Sequence, residues 1–152
     1  MIEVALALLV IAIGMVSLLG LFTTGLAGAQ RADSETQASF FAQTVFNNAK
    51  WELRRDWEAD FIELGDDANI WQSEGGGPAR ITFGDRGKVA FLQDINGDTV
   101  ETWYNYDIRR ENSPDFDSDM HTIIRMRVWP GEFPDTSPDK AIYFYTEFYR
   151  MD

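Results

Sequence analysis

The residues best suited to chemistry in this chain are acidic side chains in two clusters. Both clusters have the alternate spacing that could present hard oxygen ligands to Ca²⁺: Asp94, Asn96 and Asp98, then Asp115, Asp117 and Asp119. The first cluster departs from the twelve-residue calcium loop, because Thr99 and Asn105 stand where that loop needs glycine and glutamate. A solvated Asn-Gly turn is the better interpretation of the first cluster and an acidic loop of the second, so both are weak calcium candidates.

The sequence indicates no catalytic site. The single histidine, His121, has no cysteine and no second histidine with which to form a metal site. The chain has neither a Gly-x-Ser-x-Gly nucleophile turn nor a glycine-rich phosphate-binding motif. Because it has no cysteine, disulfides, thiolate zinc sites and cysteine nucleophiles are excluded. We therefore expect a protein that is not an enzyme and that needs no cofactor.

The charge of the chain argues against a nucleic-acid partner. Thirteen Lys and Arg face 25 Asp and Glu, for a formal net charge of −12 over 152 residues. Binding to a phosphate backbone needs a surplus of basic side chains. Aromatic residues make up 14% of the chain, too many for a disordered acidic protein, so we expect a packed core.

A long apolar segment begins directly after Glu3. The 26 residues from Val4 to Ala29 carry no charge. As a helix they would be about 39 Å long, more than the roughly 30 Å hydrocarbon thickness of a bilayer. A cleavable signal peptide carries a basic n-region, and no basic residue precedes this segment. We predict that residues 1–29 form a retained transmembrane helix.

The position of Glu3 allows two interpretations. Its carboxylate would lie at the headgroup level and interact with the positive end of the helix dipole. Alternatively, it would pair with the α-amino group of a neighbouring chain, Met1 if that is the mature terminus, and set the axial register of packed helices. Gly14 and Gly20 would let such helices approach closely, and any unwinding would fall between Gly14 and Gly25.

The helical pattern continues into a more polar segment. Apolar residues recur every four positions from Phe41 to Phe61, with polar residues largely on the other side. The first stop signal is the glycine of Leu64-Gly65. We therefore predict an amphipathic continuation over residues 30–63, so that one helix would run from about residue 2 to about residue 63.

Beyond a glycine-rich loop at residues 64–78 the period changes to two. Five segments rich in β-branched and aromatic residues predict strands: Ala79–Phe83, Lys88–Gln93, Thr99–Arg109, His121–Trp129 and Ala141–Tyr149. A hairpin would join the first segment to the second through residues 84–87, and the Asn96-Gly97 turn would join the second segment to the third. Residues 64–152 would form an antiparallel β-sheet head covered by the amphipathic half of the helix, an α+β fold.

The first fourteen residues, Met1-Ile2-Glu3-Val4-Ala5-Leu6-Ala7-Leu8-Leu9-Val10-Ile11-Ala12-Ile13-Gly14, resemble the N-terminus of mature type IV pilins and type II secretion pseudopilins. In that family a prepilin peptidase cleaves just before the apolar segment, and the new N-terminus is methylated. A near-invariant glutamate is the fifth mature residue, whereas Glu3 is third here. Two residues would therefore precede Met1, or the cleavage site differs.

The resemblance implies a structural subunit that polymerises through its apolar helix into an extracellular type IV pilus-like filament, or fimbrium. The subunit would reside in the bacterial inner membrane before assembly and have identical subunits, the prepilin peptidase and the assembly machinery as partners. The resemblance assigns the register role to Glu3, and with Met1 and the closely packing Gly14 and Gly20 this gives four predicted assembly residues. Two alternatives remain, a minor pilin or pseudopilin that primes or caps another filament, and a single-span anchored domain that binds a ligand or calcium at the cell surface.

Overall fold

The computed structural model describes residues 2–65, 70–74, 76–112, 120–130 and 140–150. The chain divides into two compact units, Met1–Ser34 and Glu35–Asp152. A helix, α1, extends over Ile2–Arg55 and contributes to both units. The helix is unbroken between Gly14 and Gly25, the segment where the sequence placed any unwinding.

The helix ends earlier than the sequence predicted. It was expected to continue to residue 63, but it stops at Arg55. The Asp56 carboxylate accepts a hydrogen bond from the Glu58 backbone N–H at 3.0 Å, a local contact that competes with the helical pattern. Arg110, far along the chain, donates to two backbone carbonyls of this same turn, those of Trp57 and Ala59. A local side-chain bond and the distant Arg110 therefore end the helix together, before its apolar pattern does.

Seven strands follow α1 in the part of the chain that the structure describes. They are β1 Phe61–Glu63, β2 Trp71–Ser73, β3 Arg80–Thr82, β4 Arg86–Ile95, β5 Asp98–Asn112, β6 His121–Pro130 and β7 Ile142–Tyr149. They form an antiparallel two-stranded sheet, β1-β3, and an antiparallel five-stranded sheet in the order β2-β4-β5-β6-β7. The α+β class, a long helix packed on an antiparallel sheet, is confirmed, and four of the five predicted strands lie in the five-stranded sheet. The other, predicted at Ala79–Phe83, corresponds to β3 and pairs with β1 instead. The sequence missed β1, which it assigned to the helix, and β2, which it assigned to a loop.

One predicted hairpin is wrong and the other is confirmed. The strands on either side of residues 84–87 do not pair with each other, because β3 pairs with β1 while β4 pairs with β2 and β5. The Asn96-Gly97 turn joins β4 to β5, with Ile95 opposite Asp98. Both turn residues have positive φ, 58° at Asn96 and 88° at Gly97, as the two-residue hairpin turn requires.

The second half of α1 packs on the five-stranded sheet. Its buried apolar side chains recur at helical spacing: Ala38, Phe41, Ala42, Val45, Ala49 and Leu53. The Phe41 ring stacks on Tyr104 with centroids 4.7 Å apart and lies 5.5 Å from the Trp71 ring. Alternate residues of the central strands complete this core: Tyr104, Tyr106, Ile108, Ile124, Met126 and Val128. We call this side of the sheet its inner face and the opposite side its outer face.

Candidate assembly surfaces on the helix and the sheet

The first unit presents an uninterrupted apolar surface. Fifteen large apolar side chains between Ile2 and Leu26 are each 52–77% exposed, and the strongly apolar 18-residue window of the helix has no buried residue. By length and composition this helix can cross a membrane, and a signal sequence near an N-terminus has the same properties. A soluble protein rarely exposes so large an apolar patch, so another apolar phase or surface must cover it.

The polar side chains of the apolar segment bond to their own helix. Ser17 Oγ donates to the Ile13 carbonyl at 2.9 Å. The Gly20 carbonyl accepts from two hydroxyls, those of Thr23 at 2.9 Å and Thr24 at 3.0 Å. Because each hydroxyl has an internal acceptor, the desolvation penalty of placing these groups in an apolar environment is reduced.

The helical period brings two of the predicted assembly residues onto one face and excludes a third. Successive residues turn by about 100°, so Glu3 and Gly14, eleven residues apart, lie within about 20° of each other. Gly20 lies about 120° away from Gly14 around the helix. A Cβ added at either glycine would meet nothing within 4 Å, so both positions are open. Met1 lies outside the described residues.

The first acidic cluster is explained by its turn. Asp94 Oδ1 accepts a hydrogen bond from the Gly97 N–H at 2.8 Å, so this carboxylate stabilises the hairpin turn. Asn96 occupies a left-handed turn position, and Asp98 is the first residue of β5. Within the described residues no group of three or more His, Cys, Asp or Glu could hold a metal ion. The second cluster, Asp115, Asp117 and Asp119, lies outside them.

His121 occupies a structural position at the start of β6. Its side chain is 4% exposed, and its ring stacks on Tyr149 with centroids 4.5 Å apart. Its Nε2 lies 3.6 Å from Glu147 Oε2. Tyr149 donates a hydrogen bond to the same carboxylate at 3.1 Å, and this bond, with smaller contributions from burial and the Glu147 charge, raises the pKa of Tyr149. These contacts join the ends of β6 and β7.

The outer face of the sheet carries a concentration of arginines that the sequence analysis missed. We call it the arginine-tyrosine face, and its members are Arg86, Asp107, Arg109, Arg125, Arg127, Tyr143 and Tyr145. Strand register places Arg86, Asp107, Arg127 and Tyr143 side by side in one row. The next row contains Arg109, Arg125 and Tyr145. Four guanidinium groups and one carboxylate thus share two adjacent rows of a strongly acidic protein.

A buried carboxylate organises two of these arginines. The Asp107 side chain is 2% exposed and accepts from Arg86 Nε at 3.0 Å and from Arg109 Nε at 3.4 Å. Both arginine side chains are more than half exposed. Among the described residues the hydrogen bonds of Arg86 and Arg109 are made through Nε, which leaves their terminal Nη groups able to bind a further anion.

Two arginines on this face lie directly opposite each other. Arg109 on β5 pairs in register with Arg125 on β6, and like charges at such positions destabilise a sheet. Arg125 Nη2 reaches Glu111, its diagonal neighbour on β5, at 3.2 Å, and Arg109 pairs with Asp107 on its own strand. A local arrangement that opposes stability is expected where a surface serves binding.

Exposed aromatic rings border the arginines on β7, the edge strand of the five-stranded sheet. Tyr143 is 61% and Tyr145 75% exposed, and the Arg127 guanidinium lies 5.7 Å from the Tyr143 ring centroid. A shallow groove of about 590 Å³ runs between these tyrosines and the strand of Arg109. Tyrosine and arginine are the residue types that contribute most to binding energy at protein interfaces.

The alternation of the residues Arg125-Met126-Arg127 is a signal in the sequence that could have revealed this face. It places two arginines on the side of a strand opposite a buried methionine.

No protein-family model, curated protein or solved structure matches this chain.

Proposed function

We propose that this chain is a structural subunit of an extracellular pilin-like filament, polymerising through its apolar N-terminal helix after storage in the bacterial inner membrane. The observation that carries the proposal is the exposed apolar surface of residues 2–26 next to the carboxylate of Glu3. Processing by a prepilin peptidase and incorporation by an assembly machinery belong to the same proposal. Both steps are inferred from the resemblance of the first fourteen residues to pilins.

The energetics of the apolar segment support burial among copies. Burying a large apolar side chain is worth about 1.5–3 kcal/mol, so fifteen side chains exposed to this extent represent on the order of 15–25 kcal/mol in water. Lipid can cover this surface in the membrane. Outside the membrane, side-by-side packing of identical helices is the arrangement that covers it over its whole length.

Glu3 would set the register of that packing. Its carboxylate lies in the first turn of α1 on the same face as Gly14, where a neighbouring helix can approach closely. A desolvated carboxylate is costly unless it has a partner, and the α-amino group of an adjacent copy is a suitable one. Only helices in the correct axial position would satisfy this pair.

The test compares membrane insertion with filament incorporation. Glu3→Gln should leave the amount of membrane-bound protein unchanged, since the apolar segment is intact, and should lower incorporation into sheared filaments counted by electron microscopy. Glu35→Gln, in the same helix but outside the uncharged segment, is the matched control. Wild-type filament yield from Glu3→Gln contradicts the register role.

The glycines provide a second comparison. Gly14→Leu adds bulk on the face that carries Glu3, whereas Gly20→Leu adds the same bulk about 120° away. Neither change meets another group in the single chain. We expect Gly14→Leu to lower filament yield more than Gly20→Leu at equal membrane levels. Equal effects would mean that the face containing Glu3 is not the principal line of contact.

The same electron microscopy distinguishes the alternatives. A major subunit gives filaments in which this chain is the principal component. A minor pilin or pseudopilin would be present at a few copies in filaments of another protein. A single-span anchored domain would remain in the membrane fraction and yield no filament, and that result overturns the proposal.

A further inference from the structure

We propose that the arginine-tyrosine face of one copy binds the acidic β4–β5 hairpin tip of a second copy. The contact would lie between neighbouring subunits of the filament. It rests on the proposed function, because a filament brings copies side by side. It joins two different surfaces of the same chain, so each copy would offer its hairpin tip to one neighbour and its arginine-tyrosine face to another.

One partner in this contact is the tip of the β4–β5 hairpin, residues 93–101, which we call the acidic arm. Residues 93–95 pair with residues 98–100 alone within the part of the chain that the structure describes. The side chains described in the arm are all exposed. They include three carboxylates, those of Asp94, Asp98 and Glu101, and no Lys or Arg occurs between Lys88 and Arg109.

Two of the three carboxylates in the arm accept hydrogen bonds from the chain itself. The Asn96-Gly97 turn is held by the bond from the Gly97 N–H to Asp94. Glu101 Oε2 accepts a hydrogen bond from Trp103 Nε1 at 3.2 Å. An arm that is already ordered loses less conformational freedom on binding than a flexible acidic loop would. Val100 in the arm is 43% exposed, and its apolar side chain could pack against Tyr143 and Tyr145 of the arginine-tyrosine face.

The arginine-tyrosine face supplies charges opposite to those of the arm, although Glu111 and Glu147 also line its groove. Its two rows carry four guanidinium groups, and among the described residues Arg86 and Arg109 bond to Asp107 through Nε, which leaves their Nη groups able to bind a carboxylate. Guanidinium and carboxylate groups form bidentate pairs. The groove of about 590 Å³ beside Tyr143 and Tyr145 gives a hairpin tip a concave surface to enter.

The uneven distribution of charge over the chain, rather than its net charge, favours a second copy as the occupant. Copies with a net charge of −12 repel each other when they pack closely. Contacts between an arginine-rich face and a carboxylate-rich arm replace that repulsion with attraction at each junction. A contact between two unlike surfaces also continues from copy to copy without closing unless its rotation forms a ring, as a filament requires.

Cysteine cross-linking of the full chain tests the contact, because the protein has no cysteine of its own. Two single variants, Asp98→Cys in the arm and Arg125→Cys on the face, are mixed and oxidised in filaments or at high density in membranes. We expect a disulfide-linked dimer of the two variants at roughly fivefold or more the yield of the control pair. The control replaces Asp98→Cys by Glu63→Cys, an exposed acidic position on β1.

Charge reversal provides an independent measurement. In the chain that carries Arg125→Cys, Arg127→Glu should lower the yield of the disulfide about threefold or more, and Glu101→Arg in the partner variant should restore much of it. Raising the salt from about 0.05 to about 0.5 M should also lower the yield, because exposed charge pairs are screened.

The outcomes separate the two proposals. Filaments in which the Asp98–Arg125 disulfide forms only at the control level overturn the contact and leave the filament subunit intact. A strong disulfide in membranes that never yield filaments supports the contact and contradicts the filament. Binding of an anionic polysaccharide that requires Arg125 and Arg127, with control-level cross-linking, also overturns the contact, since the face would then serve another ligand.

Discussion

Replacing Arg110 by methionine should destabilise the second unit by removing the contact that fixes the chain just after α1. Arg110 Nη2 donates to the Trp57 carbonyl at 2.7 Å and Nη1 to the Ala59 carbonyl at 3.1 Å. Its Nε donates to Thr122 Oγ1 at 3.1 Å, and the guanidinium lies 5.5 Å from the Trp57 ring centroid. Burial lowers the pKa of Arg110, and the charge of Asp56 opposes that shift.

The magnitude follows from these three hydrogen bonds. Hydrogen bonds made by charged groups contribute about 1.5–3 kcal/mol each. Because the side chain is only half-buried and methionine keeps part of its packing, we expect a total loss of about 2–4 kcal/mol in the free energy of unfolding. At roughly 4 °C per kcal/mol for a unit of this size, Tm should fall by about 8–16 °C.

The assay is urea and thermal unfolding of the full chain in detergent, followed by tryptophan fluorescence. Arg125→Met is the matched control, because the Arg125 side chain is 62% exposed and its ion pair with Glu111 is worth at most about 1 kcal/mol. Arg110→Lys keeps the charge without the fork and should recover less than half of the loss. If Arg110→Met costs no more than Arg125→Met, the explanation for the end of α1 at Arg55 is refuted.

Three further predictions concern the core and its protons. Phe41→Ala should lower the free energy of unfolding by about 3–5 kcal/mol because it empties a fully buried site, whereas Phe40→Ala, at a ring 48% exposed, should cost less than half as much in urea unfolding. Gly87→Ala should cost about 1–3 kcal/mol, because its Cβ would lie 2.6 Å from the Tyr106 hydroxyl oxygen; Tyr106→Phe, which removes that atom, should restore part of the loss. Burial raises the pKa of Tyr106 above 10.0, so the folded chain keeps a proton that the unfolded chain releases, and the free energy of unfolding should fall as pH rises above 10.0. Tyr106→Phe should flatten that fall in unfolding measured from pH 8 to about 11.5, and Tyr145→Phe, at an exposed ring, should not.

Local patterns in the sequence were sufficient for the elements with strong periodicity. The uncharged segment from Val4 to Ala29 predicts a helix long enough to span a bilayer, and the four-residue spacing that includes Phe41 and Val45 predicts the face that is buried. The Asn96-Gly97 pair predicts a hairpin turn at the residues where it occurs. Each of these signals depends on residues within a few positions of one another.

The errors occurred where distant residues decide the outcome. The apolar pattern of α1 continues through Trp57 and Phe61, but Arg110 and the Asp56 carboxylate hold that segment in a turn. The segment at residues 80–82 is adjacent in sequence to β4, yet it pairs with β1. Strand pairing is set by burial of Ile62 and Ile81 in the core, and nothing local to either strand specifies its partner.

The sequence by itself determined the apolar helix and its amphipathic continuation, because side-chain period fixes which face of an element is buried. It determined the antiparallel class of the sheet because a two-residue turn such as Asn96-Gly97 can join only antiparallel strands. It also determined that Glu3 and Gly14 share a helix face. Tertiary structure decided which strands pair and, together with the local Asp56 contact, where α1 ends. It also decided that arginines from three strands meet on one face, because cross-strand register brings together residues that are about 20–40 positions apart in the chain.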